Sequence, residues 1–247
     1  MRPRALGFAT LSLFAFLFVS TAAFAARPAP VITPYELGPF ESVTPGPPLP
    51  NGPCTMGVTA APAFIVDYLL PPNDKYFTLL DPAGCGICPN NSIAVNAAHL
   101  LLNFPAACTQ PVTVSIVGAT DLGGGCLMPD ELNILCPPLG YNLTAAVAGN
   151  YQFNLPIPAG CCITKKAFLM INFVAPGAGC STQATRPRLI TTGECEPCTS
   201  WNTWAGGTDE LCDVGFPGNP VMFADGDCCS TTPAIESSWG SLKSLYR

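Results

Sequence analysis

Cysteine is the reactive side chain this sequence uses most: 14 of its 247 residues, against a single histidine. The positions are Cys54, Cys85, Cys88, Cys108, Cys126, Cys136, Cys161, Cys162, Cys180, Cys195, Cys198, Cys212, Cys228 and Cys229. Thiols in such number cross-link, bind metal or exchange electrons. Cys85–Cys88 and Cys195–Cys198 each have the Cys-x-x-Cys spacing of half a four-thiolate zinc site, but 106 residues separate the two pairs, far more than a zinc ribbon allows. Neither pair sits in the βαβ context of a thioredoxin-like redox motif. An even count favours disulfides, up to seven of them, chosen from on the order of 10⁵ pairings. Neighbours on a strand point to opposite faces, so Cys161 and Cys162 need different partners, as do Cys228 and Cys229.

Any Ser-His-Asp or Cys-His site must use His99, which lies in an apolar segment with no nucleophile motif beside it. Gly-x-Ser-x-Gly and His-Glu-x-x-His are both absent. His99 reads instead as a strand residue that packs or hydrogen-bonds, since a triad needs placed partners. Paired carboxylates can hydrolyse glycosides without histidine. The available cluster is Asp209, Glu210, Asp213, Asp225 and Asp227, although acidic residues beside glycine are also what turns contain. Asp209, Asp213, Asp225 and Asp227 are equally the candidate oxygen ligands for Ca²⁺, the one cofactor the sequence suggests. Trp201, Trp204 and Tyr151 are the candidate stacking platform for a sugar, against the commoner role of such rings as core. The glycine run Asp121 to Cys126 lacks the Lys and Ser/Thr of a phosphate loop and reads as a turn.

These residues must be positioned by a fold made of short strands. Candidates are 63–70, 76–80, 93–104, 112–117, 141–147, 151–155, 167–174, 187–192, 200–204 and 220–224. Val112-Thr113-Val114-Ser115-Ile116 alternates apolar residues with hydroxyls, the pattern of a strand with one wet face. Residues 167–174 are apolar on nearly both faces, which predicts a central strand. Ten short strands without a long helix predict a two-sheet antiparallel sandwich, of jelly-roll type, stapled by disulfides.

At the ends the composition changes. Arg2 and Arg4, the apolar run Leu6 to Val19 and Ala23-Phe24-Ala25 form a signal peptide over 1–25, with cleavage before Ala26. Residues 26–53 are proline-rich and predict an extended or disordered spacer. The sandwich follows over 54–230, and the tail 231–247 carries Trp239, Leu242, Leu245 and Tyr246 at the spacing of a short amphipathic helix. That tail either docks on the sandwich or serves as a sorting signal.

Several stretches of the last third carry a resemblance: Cys161-Cys162 before an apolar strand, the Cys-rich segment with Trp201 and Trp204, Phe216 to Gly226, and the end Trp239 to Arg247. Together they resemble secreted, Cys-rich β-sandwich proteins of environmental bacteria, a group of unknown function. The resemblance implies the fold and carries no activity.

Export and cysteine usage predict an oxidising location outside the cytoplasm. Without the signal, eight Lys and Arg face 16 Asp and Glu, a net charge near −8 that disfavours nucleic acid. No later stretch is long and apolar enough to span a bilayer as a helix. The reading is a secreted, non-enzymatic structural or adhesive protein with a cell-surface component or glycan as partner. A carbohydrate- or Ca²⁺-binding module is the second reading and a secreted hydrolase the third.

Overall fold

The computed structural model describes residues 29–35, 41–43, 54–69, 72–86, 88–158 and 161–229. The expected signal peptide and C-terminal helix lie outside these residues. Fifteen strands form among the described residues: β1 Val31–Pro34, β2 Glu41–Val43, β3 Cys54–Gly57, β4 Pro62–Asp67, β5 Asp74–Leu80, β6 Ile93–Phe104, β7 Cys108–Asp121, β8 Leu127–Ala145, β9 Gly149–Pro156, β10 Cys162–Ile163, β11 Ala167–Phe173, β12 Arg188–Thr192, β13 Ser200–Trp204, β14 Gly207–Glu210 and β15 Met222–Cys228. Only short 3-10 turns, at Pro82–Cys85 and Pro89–Asn91, interrupt them.

The strands make two sheets. The nine-stranded sheet runs β1-β4-β12-β6-β15-β3, with β9 and β10 on the other side of β6 and β2 added to β9; the six-stranded sheet runs β14-β13-β5-β11-β7-β8. Every pairing is antiparallel except β2 with β9. The result is the expected antiparallel sandwich, with more strands than the eight of a jelly roll. The proline-rich stretch contributes two of them, since β1 pairs with β4 and β2 with β9. Prolines suit such edge positions because no ladder donor is needed on their open side.

Inward alternation of both sheets builds the core. Ile93, Val95, Ala98, Leu100, Leu102 and Phe104 of β6 face Val112, Val114 and Ile116 of β7 and Leu169, Ile171 and Phe173 of β11. Edge-to-face rings, such as Phe104–Tyr151 at 5.5 Å and Tyr76–Phe173 at 5.9 Å, fill the space between. Each such side chain contributes about 1.5–3 kcal/mol by burial.

The outer face of the six-stranded sheet corrects one expectation. Val112, Val114 and Ile116 do face the core, but Ser115 on the other side of β7 is buried, not wet. The far half of the β7–β8 hairpin curls over this face as a flap, with successive register shifts where it bends. Under it Phe77, Val117, Phe168, Met170 and Trp201 form a second core, closed by Leu127, Met128 and Ala119 of the flap. β11 is thus buried on both faces, as its sequence predicts. At the bend Gly118 lies against the Asn133 side chain, which would have to swing aside for a Cβ there, 2.2 Å from its Nδ2. A Lys75–Glu131 ion pair and the Cys126–Cys198 bond tie the flap to the sheet.

All fourteen cysteines are joined in seven disulfides: Cys54–Cys85, Cys88–Cys228, Cys108–Cys180, Cys126–Cys198, Cys136–Cys161, Cys162–Cys229 and Cys195–Cys212. Cys161 and Cys162 take different partners, as do Cys228 and Cys229, and neither Cys-x-x-Cys pair bonds internally. These two vicinal pairs string Cys88, Cys228, Cys229, Cys162, Cys161 and Cys136 into one covalent path that crosses from the nine-stranded sheet to the edge of the other.

Candidate functional site

His99 sits on the outer face of the nine-stranded sheet, 7% exposed, and each of its ring nitrogens meets an oxygen acceptor. Nε2 is 2.9 Å from Asp225 Oδ2 and Nδ1 is 2.7 Å from Asn154 Oδ1. Strand register explains the meeting: β6 lies between β15 and β9, with His99 directly opposite Phe223 and Asn154. Its ring stacks on Phe223 with centroids 4.5 Å apart. Thr55 Oγ1 donates to Asp225 Oδ1 at 2.6 Å, Gln152 Nε2 donates to Asn154 Oδ1 at 2.9 Å, and Asn154 Nδ2 donates to Ser42 Oγ at 2.8 Å. A polar ladder therefore crosses five strands, from β3 to β2. Burial alone would raise the Asp225 carboxyl; hydrogen bonds from His99 and Thr55, with the charge of His99, outweigh it and hold the group below its ordinary value. Each ladder hydroxyl is engaged with a carboxylate or an amide rather than with the imidazole.

A cleft of about 630 Å³ opens elsewhere, lined by Gly57 to Ala60 after β3, Thr192 to Glu196 after β12, Thr199 and Asn219. Its walls are tied by hydrogen bonds and a disulfide. Asn219 is buried and clamps the Glu196 backbone, accepting from its N–H at 2.6 Å and donating to its carbonyl at 3.1 Å. The Asn219 N–H donates to Thr192 Oγ1, whose hydroxyl donates to the Glu194 carbonyl. The Cys195–Cys212 bond holds the same loop. Gly57, at φ +104, is required on the opposite wall, because a Cβ there would meet Met222 O at 2.8 Å. Glu194 and Glu196 are exposed, and three threonines line the same space. Hydroxyls, carboxylates and amides without a lining aromatic ring or cation suit a polyhydroxylic ligand.

The fold disperses the candidates named from the sequence. Tyr151 is buried in the main core, stacked on Phe153 at 5.8 Å, with its hydroxyl donating to Val147 O. Trp201 is buried under the flap, in the other sheet. Trp204 is half-buried and donates to Asp209 Oδ2 at 2.8 Å. The three rings share no face. Asp209 and Asp213 belong to the six-stranded side, whereas Asp225 bonds His99 and Asp227 accepts from Asn96 at 2.7 Å in the nine-stranded sheet. Among the described residues no three His, Cys, Asp or Glu side chains gather as a metal-holding group. Glu210, beside Asp209, is buried: desolvation raises its carboxyl above the ordinary value against the opposing hydrogen bond from the Asp213 N–H, and Oε1 has no partner. Glu194, Glu196 and Asn219 of the cleft went unnoticed in the sequence, where the first two read only as neighbours of Cys195.

No curated protein matches this sequence. A solved structure of the cysteine protease and lectin-like domains of Cwp84, a surface layer associated protein of Clostridium difficile, is similar to it at a TM-score of 0.47. The identity is 9%, over 70% of this chain and 36% of that one. A second structure of that clostridial protease, after propeptide cleavage, gives 0.44 at 10% identity, over 64% and 36%. This chain spans about a third of their length, and likeness at this level carries no functional implication. Residues 55–226 match the model of a domain of unknown function, DUF7451, and the chain belongs to that family.

Proposed function

We propose that this DUF7451 member works outside the cytoplasm as a non-enzymatic structural or adhesive module, exported by a cleaved signal over residues 1–25. One observation carries this reading: all fourteen cysteines are committed to seven cross-links, which suits a domain built to persist in an oxidising compartment. The sole histidine supports it, being held in a ladder that ties five strands together. Among the described residues no helix is long and apolar enough to cross a membrane. The test is fractionation of the native host combined with an activity screen over esterase, peptidase and glycosidase substrates. The expected result is a processed protein in the envelope or medium, oxidised and inactive. Reduced cysteines in the cytoplasm, or robust turnover lost in His99→Gln, would overturn it.

The second reading, a glycan-binding module, is favoured by the cleft and not by the rings or the acidic residues first considered. Glu194 and Glu196, exposed on the lining, are the residues that would hold sugar hydroxyls there. On a glycan array, binding weakened at least tenfold by Glu194→Gln with Glu196→Gln supports this reading. Binding indifferent to that pair removes it.

A further inference from the structure

Three apolar side chains stand in water on one short stretch of β8: Leu132 is 96% exposed, Ile134 53% and Leu135 44%. They lie where β8 bulges against β7: Asp130 is opposite Gly118, Ile134 opposite Val117 and Cys136 opposite Ile116, with the register shifting between each. A single exposed leucine needs no explanation, but three apolar residues within four make a patch that invites a cover. β8 is the edge of its sheet, and Pro137 and Pro138 follow the patch at once. A prolyl nitrogen has no hydrogen to give, so this part of the edge is closed to strand addition by another chain. What covers it must bring side chains.

The disulfides determine which segment is within reach. Cys136, next to Leu135, bonds Cys161; the neighbouring Cys162 bonds Cys229, the last described residue. Their Cα separations are 5.5 and 6.0 Å. With 3.8 Å between neighbouring Cα atoms, Cys229 lies within about 15 Å of Cys136. The chain beyond Cys229 therefore departs from a point within about 15 Å of Cys136, at the end of the patch. The connector up to residue 238 reaches as far as roughly 30 Å when extended, ample to bring Trp239 to Leu132. Trp239, Leu242, Leu245 and Tyr246 supply the matching apolar stripe. Charge agrees as well: residues 54–229 hold five Lys and Arg against thirteen Asp and Glu, whereas the tail brings Lys243 and Arg247 against Glu236.

We infer that residues 233–247 fold back as a short amphipathic helix whose apolar stripe covers Leu132, Ile134 and Leu135 of the same molecule. So short a helix is marginal alone, and the patch supplies the surface it needs. Hydrogen exchange on the disulfide-bonded chain ending at Arg247 tests this. Amides of 239–246 are expected to be protected, and to exchange about tenfold faster in Leu132→Asp with Ile134→Asp. Leu242→Asp with Leu245→Asp is expected to speed exchange at 132–135 in return. Both pairs change exposed or tail positions, so unaltered exchange in β6 and β11 confirms that each variant folds. Tail exchange indifferent to the patch variant overturns the inference. So does protection at 132–135 that survives the tail variant and depends on protein concentration, which would make a second copy the cover. Mass spectrometry of the exported protein showing the tail removed overturns it too, in favour of a sorting signal.

Discussion

The Asp225 carboxylate holds two donors, His99 Nε2 and Thr55 Oγ1, in a setting where neither side chain of the His–Asp pair is more than 11% exposed. Asp225→Asn would leave the imidazole without its counter-charge, and the expected loss is about 2–4 kcal/mol in denaturant unfolding. The sign of the pH effect follows from the lowered carboxyl. Its stabilisation is complete above the ordinary aspartate range and is lost as pH falls through the depressed value, so the variant should flatten the acid limb of a stability–pH curve. Glu210 runs the other way. Its raised carboxyl stabilises the fold below the ordinary glutamate range and less as pH rises through the raised value, so Glu210→Gln should gain on wild type as pH rises from 4 to 7. Matched melting temperatures at both pH values would count against that. His99 reads from the sequence as a packed or hydrogen-bonded strand residue, because no nucleophile motif stands beside it, and it lies in β6. Its partners could not: Asp225 and Asn154 reach it through strand neighbours 126 and 55 residues away. Asp225, beside Gly226, has the sequence context of a turn carboxylate, yet it sits inside β15.

Strands with strong periodicity were legible. The stretches 93–104 and 200–204 coincide with β6 and β13, and 167–174 with β11 to within a residue. β3, β10 and β14 are four residues or fewer, too short to show a period. The first half of β8 was missed because Pro129, Pro137 and Pro138 argue against a strand, an argument that fails at a sheet edge. That half supplies the flap, whose removal defines a prediction at this scale. Changing Cys126 and Cys198 together to serine opens a loop of 72 residues, a loss of at most about 4 kcal/mol in the chain-entropy picture, and less because other bridges already constrain the region. Trp201 fluorescence should shift to the red and become quenchable as the flap lifts. Emission unchanged from wild type would mean that Lys75–Glu131 and the apolar contacts hold the flap without the bond.

For the whole molecule, bridges spanning 17 to 140 residues make reduction the decisive perturbation. Alkylation of the unreduced protein should label no described cysteine, and four or more labelled thiols would contradict the cross-linking. After reduction the cooperative unfolding transition should fall far below that of the oxidised chain, since each bridge contributes roughly 3–5 kcal/mol when taken alone.

The covalent path through the vicinal cysteines has a mechanical meaning. From Cys54 a traveller along bonds reaches Cys229 by way of Cys85, Gly86, Ile87, Cys88 and Cys228, touching only the first residue of β3 and the last of β15. Tension applied between the two ends of the domain runs along this short cable of roughly 25 Å, whereas the same chain freed of bridges would stretch to roughly 600 Å. Load that enters at Cys54 and leaves at Cys229 then bypasses the strands between them, and only β1 and β2, which precede Cys54, lie outside this protection: between those two cysteines the domain behaves as an inextensible link that parts only when a disulfide breaks or is reduced.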